Sequence, residues 1–171
     1  MENQSAKIEK AIFAAGCFWG VEEAFSRLPG VTNTKVGYIG GKIGNPTYKE
    51  ICTDTTGHAE AVEIEFDSTK ISYGQLLDFF WEVHDPTTLN RQGPDYGSQY
   101  RSAIFYFSSE QEQQAQQSKE KLNSSGKFNR QIVTQIISTT TFYDAEDYHQ
   151  QYLKKNPRGY CHISFDKLFA K

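Results

Sequence analysis

Cys17 lies in Gly16-Cys17-Phe18-Trp19-Gly20, after the apolar run Ala11-Ile12-Phe13-Ala14-Ala15 and before Val21, Phe25 and Leu28 at helical spacing. The run reads as a buried strand and the spaced residues as one face of a helix, so the thiol falls at a helix N-terminus. Unpaired backbone N–H groups and the helix dipole favour a thiolate there, and the thiolate is the nucleophilic form of cysteine. The flanking glycines let the chain turn sharply and leave the sulfur open. A free cysteine is also commonly a small buried hydrophobe, and position alone leaves both readings open. Phe18 and Trp19 favour the reactive one, because two large rings in a turn make an apolar wall beside the sulfur.

A nucleophile that expels a poor leaving group needs a proton donor, and Glu60 is the candidate. On a strand over His58 to Phe66, side chains alternate between faces. His58, Glu60, Val62, Ile64 and Phe66 then share one face, and Ala59, Ala61, Glu63 and Glu65 the other. Glu63 and Glu65 are expected to face solvent. Glu60 lies on the apolar face, where desolvation raises a carboxyl pKa towards neutrality. A strand-end glutamate bonded to a nearby backbone group is the plainer alternative.

The elements that must hold these groups follow from period and punctuation. Residues 1–9 are polar and read as a loose arm. A strand over Thr32 to Tyr38 runs into the glycine loop Gly37-Tyr38-Ile39-Gly40-Gly41. Ser72-Tyr73-Gly74-Gln75 has the form of a capping box and opens a helix that closes before Pro86. The loop over 85–98 is long enough to suggest a functional role. Tyr100 to Phe107 is the next strand, followed by a polar helix to about Asn123, a strand over Ile132 to Ile137 and a last helix over Asp144 to Lys154. The leading order, β-α-β-β-α-β, predicts an α+β fold, a ferredoxin-like plait with a mixed, largely antiparallel sheet. The extra C-terminal strand and helix extend it, and 158–171 is a coiled, mobile tail.

At 171 residues, with 37% hydrophobic and 23% charged residues, the chain reads as a single globular domain over 1–171. A net charge of −3 argues against a nucleic-acid partner. No apolar run reaches the ~20 residues of a membrane span. Three cysteines fit a reducing compartment better than a disulfide framework. Ala14-Ala15-Gly16-Cys17 mimics a lipidation site, but the apolar stretch before it is too short for a signal peptide. The expected location is the cytoplasm, and the expected state a monomer. The cysteines are scattered, with no Cys-x-x-Cys pair, so no metal site is expected.

Together the motifs resemble the peptide methionine sulfoxide reductase A family. They are Gly16-Cys17-Phe18-Trp19-Gly20, the glycine loop at 37–41, Gly57-His58-Ala59-Glu60-Ala61-Val62, Trp81-Glu82-Val83-His84-Asp85-Pro86 and Gln99-Tyr100-Arg101-Ser102. The resemblance runs from about 10 to 163. It implies reduction of methionine-S-sulfoxide, peptide-bound and free, without a cofactor. It makes Cys17 the nucleophile and Glu60 the acid that protonates the sulfoxide oxygen. Tyr48 and Tyr100 match tyrosines that hydrogen-bond that oxygen, and Asp95 matches a residue that orients substrate. Phe18 and Trp19 would take the methyl group.

The resemblance also makes Cys161 the resolving cysteine. A sulfenic acid left on Cys17 condenses with a second thiol, giving a Cys17–Cys161 disulfide that thioredoxin then reduces. Cys52 is expected to be structural. A thiol hydrolase using His84 or His58 as base is the competing enzyme class, but His84-Asp85-Pro86 reads more simply as a helix end. An aromatic peptide-binding cage without chemistry is the non-catalytic alternative.

Overall fold

A computed structural model describes residues 5–170. In chain order its elements are β1 (Ile8–Ala15), α1 (Phe18–Ser26), β2 (Val31–Ile39), α2 (Tyr48–Ile51), β3 (Ala59–Asp67) and α3 (Tyr73–Glu82). There follow β4 (Arg91–Gln92), β5 (Asp95–Tyr96), a 3-10 turn (Ser98–Tyr100), β6 (Ser102–Tyr106), α4 (Ser109–Ser124), β7 (Gln135–Ser138) and β8 (Tyr143–Asp144). A second 3-10 turn (Asp147–His149), α5 (Tyr152–Lys155) and α6 (Phe165–Leu168) complete the described chain.

The fold is mixed α+β, and its main sheet is mostly antiparallel. The strand order is β7-β6-β1-β3-β2-β8, and only β6 and β7 pair in parallel. β4 and β5 form a separate small ribbon inside the long loop. Among the described residues, no helix is long and apolar enough to cross a membrane.

Alternation along β1 and β3 sorts the core into two layers. Ala11, Phe13, Val62, Ile64 and Phe66 join α1 and α3 in the larger cluster. Ile12, Ala14, Ala59 and Ala61 lie on the other face with Phe105 and Phe142. Phe13 stacks on Phe25 of α1 at 5.3 Å and on Phe80 of α3 at 5.1 Å. That aromatic column pins both helices to the central strand, so the β1–α1 turn carrying Cys17 is held at both ends.

The capping box that opens α3 forms in full: Gln75 N donates to Ser72 Oγ at 3.1 Å, and Ser72 N donates to Gln75 Oε1 at 2.9 Å. Ser72→Ala is expected to cost about 1 kcal/mol in urea denaturation while leaving the slope of the transition unchanged.

Four expectations change. The arm is shorter than 1–9, because Ile8 and Glu9 already pair with Asp67 and Phe66; residues 1–4 lie outside the described part. Glu63 is only 7% exposed, covered by Lys10 and Lys35 at 3.4 and 3.6 Å. The strand expected over Ile132 to Ile137 starts only at Gln135; Ile132 instead donates its N–H to Asn123 Oδ1 at 2.9 Å and Val133 to Pro86 O at 2.9 Å.

The continuous helix over Asp144 to Lys154 does not form. Gln150 spends its side-chain amide on the edge of β2, accepting from Val36 N and donating to Val36 O, both at 2.9 Å. Gln151 takes a left-handed conformation (φ 56°), and its N–H reaches Glu22 Oε1 at 2.7 Å. These long-range bonds outweigh the local helical preference and split the segment into β8, a 3-10 turn and α5.

Candidate active site

Gly16 turns the chain out of β1 with φ +93°, and a side chain there would meet Gln92 at 2.8 Å. The next residue, Cys17, is the N-cap of α1. It is 7% exposed, more covered than the open sulfur expected from the sequence. Its thiol is also not poised as a thiolate. Burial pushes its pKa well above the usual value and the charge of Glu60 adds to this, against one favourable backbone bond from Trp19. The helix terminus is there, but desolvation of the anion outweighs it.

Glu60, 2% exposed, leaves β3 on the same side as Val62 and meets this turn. Its Oε1 accepts from the N–H of Phe18 at 3.3 Å. Burial pushes its pKa up to about 8, against the lowering effect of the Phe18 N–H, with a further upward push from Asp95. Near neutral pH this carboxyl keeps its proton. Acid and thiol thus sit together in neutral form, the cheapest way to bury two acidic groups.

Tyr48 starts α2 and Tyr100 ends the 3-10 turn before β6. Burial raises both phenol pKa values, and both feel the charges of Glu60 and Cys17, so they stay protonated donors beside that pair. Asp95 sits on the β4–β5 ribbon and acts electrostatically on Cys17, Glu60 and Tyr100. Its Oδ2 accepts from Tyr160 at 3.0 Å. That bond ties the C-terminal segment to the site.

Cys161 follows Tyr160 and packs on the first turn of α1. A Cβ built on Gly20 would meet Cys161 Sγ at 2.5 Å, so the sulfur fits there because residue 20 has no side chain. His162 is packed close to Gly16 and Gln92 on the other side of the turn. The segment expected as a mobile tail is therefore docked across the Cys17 turn, and Ile163, Phe165 and Leu168 pack on the core.

The two rings beside Cys17 have different settings. Phe18 is 1% exposed, a core residue whose ring faces Tyr38 and His149 at 5.8 and 5.2 Å. Trp19 is half-buried; its face stacks on Tyr152 at 3.8 Å and its Nε1 donates to His149 Nδ1 at 2.9 Å. Cys52 is exposed, not a core residue, and its thiol lies against the Tyr48 phenol.

Two features lay outside the sequence reading. Glu146 accepts from Tyr38 Oη and from Tyr48 N, both at 2.9 Å. His149 is fully buried between Phe18, Trp19 and Tyr48. No period or motif marks either one. The capping box of α2, Thr47-Tyr48-Lys49-Glu50, carries a local sequence signature, though no helix was expected there.

His84 and His58 are structural. His84 bonds Phe80 O at 2.8 Å and Ser102 Oγ at 2.7 Å, and burial lowers its pKa to about 4. His58 accepts from Gly41 N at 3.0 Å and meets Ile43 O at 2.6 Å, holding the glycine loop. Both ring nitrogens of each are taken, so neither serves as base for a thiol hydrolase.

A family model described as peptide methionine sulfoxide reductase matches residues 9–171. A relative from Methanothermobacter thermautotrophicus, the peptide methionine sulfoxide reductase MsrA, is 58% identical over 158 residues, covering 92% of this chain and 94% of that one. The crystal structure of reduced Mxr1 from Saccharomyces cerevisiae superimposes with a TM-score of 0.86 at 38% identity, covering 91% and 89%. Mxr1 in complex with Trx2 matches with a TM-score of 0.61 at 26% identity, covering 88% and 91%.

Proposed function

Because the chain belongs to the peptide methionine sulfoxide reductase family, we propose how this site carries out thiol-dependent reduction of methionine sulfoxide. The observation that carries the reading is the pairing of Cys17, at the cap of α1, with the buried Glu60 carboxyl, which accepts from the next backbone N–H.

The sulfoxide oxygen is held by Tyr48 and Tyr100, and the methyl group lies against Trp19 with Phe18 behind it. Cys17 attacks the substrate sulfur as Glu60 delivers its proton to the oxygen. The thiol proton passes to the carboxylate that Glu60 becomes, so no net charge accumulates in the buried site. In sum, thiol plus sulfoxide give sulfenic acid plus thioether. The oxygen moves to Cys17, whose sulfur loses two electrons, and the substrate sulfur gains two. Cys161 then displaces the oxygen as water, forming a Cys17–Cys161 disulfide. A thioredoxin dithiol reduces that bond by exchange, as the yeast relative solved with Trx2 suggests.

We take the S epimer as substrate, in peptides and as the free amino acid. Sulfoxide sulfur is chiral, and with oxygen and methyl both placed, only one configuration leaves the rest of the substrate pointing outwards. We read the central strands as a ferredoxin-like plait, and the protein as a cytoplasmic monomer.

One equivalent of substrate without reductant, followed by peptide mass spectrometry, tests this. The expected product has lost two hydrogens and carries a Cys17–Cys161 crosslink. A stable gain of one oxygen on Cys17 would make Cys161 a bystander.

A further inference from the structure

From the Trp19–His149 bond and its surroundings, we infer that His149 is a positioning residue. As a neutral imidazole, it fixes the indole of Trp19 and thereby sets affinity for the sulfoxide. This rests on the reading of Trp19 as the pocket wall.

Trp19 Nε1 is a donor only, so at 2.9 Å His149 Nδ1 must accept, and the ring proton sits on Nε2. That Nε2–H is buried and finds no partner among the described residues. An unpartnered buried donor is costly, and a hydrocarbon here would avoid the cost. What a hydrocarbon could not do is accept the indole N–H. Tyr152 stacked on one face at 3.8 Å and the N–H edge bonded to His149 together fix the orientation of the indole.

The segment carrying His149 is itself latched. Glu146 holds Tyr38 and the backbone of Tyr48, Gln150 is bonded to β2, and Gln151 N reaches Glu22 in α1. His149 also packs on Phe18 at 5.2 Å and Tyr48 at 4.5 Å. It therefore sits behind both the wall and one oxygen-binding tyrosine. Burial lowers its pKa, against the opposite pull of Glu146, which keeps the accepting form.

The test is steady-state kinetics on methionine sulfoxide with dithiothreitol. His149→Leu is expected to raise KM roughly fivefold or more, the change that corresponds to ~1 kcal/mol, with a smaller effect on kcat. His149→Asn puts an amide oxygen near the Nδ1 position and is expected to recover most of the loss. His149→Gln, whose amide reaches the Nε2 position instead, is not. In a Trp19→Phe background, which has no N–H to hold, His149→Leu should raise KM far less than it does in the wild type.

Equal KM values for the asparagine and glutamine variants would overturn the inference, even if the leucine variant did not fold. So would a loss confined to kcat. An unchanged KM in Trp19→Ala would refute the wall reading itself. A raised KM in Trp19→Ala beside an unaffected His149→Leu would refute the His149 role alone.

Discussion

Cys17→Ser is expected to abolish sulfoxide reduction with either dithiothreitol or thioredoxin, by about four orders of magnitude or more. A serine hydroxyl at the cap of α1 keeps the volume and the hydrogen bonding but has neither the nucleophilicity of sulfur nor its redox chemistry. The site already holds residue 17 neutral, so a neutral hydroxyl fits without new electrostatic cost. Folding should therefore be preserved, and a melting curve close to wild type would separate lost chemistry from lost structure. Residual turnover above a few per cent would move the nucleophile elsewhere, with exposed Cys52 the next thiol to examine.

Glu60→Gln has the second largest expected effect, with three readouts that move differently. Turnover should fall roughly 10²–10⁴-fold, the usual contribution of a positioned general acid. In the wild type, kcat/KM should fall as pH rises through about 8, where Glu60 loses its proton. The variant should lack this limb. The substitution should move stability opposite to activity, upwards at alkaline pH. The folded pKa of Glu60 lies above its ordinary value of 4.5, so the native state binds the proton more tightly than the unfolded one. That favourable contribution is complete below pH 4.5 and is lost as pH rises through about 8. An uncharged glutamine escapes the loss, so the variant should melt higher than wild type at pH 8 and above, the difference shrinking towards acid.

The third readout is the Cys17 thiol. Burial holds its pKa up and the charge of Glu60 adds to this, so Glu60→Gln should speed alkylation of Cys17 at pH 9 even as turnover collapses. A variant less stable at every pH, with Cys17 alkylation unchanged, would mean that Glu60 serves structure.

Much of this site is local in sequence, and that much was readable. A cysteine at a strand-to-helix turn, a glutamate on the apolar side of an alternating strand and a Ser-x-x-Gln cap depend on neighbours a few residues away. The backbone periods that place them are the same in any fold. The protonation of Cys17 was not readable, because burial depends on which distant segments meet the turn: β3 through the Glu60–Phe18 bond, and the segment around Cys161, which lies against Gly16 and Gly20. Nor was the role of residues 144–155, whose local preference is helical. Side-chain bonds from Gln150 to β2 and from the Gln151 backbone to Glu22 override it. The exposure of Cys52, the burial of Glu63 and the Trp19–His149 bond belong to the same class. The sequence by itself marked Cys17 and Glu60 as the candidate nucleophile and acid and named the element that carries each. Tertiary structure decided their charge states and orientations, because burial and long-range hydrogen bonds exist only once distant segments have come together.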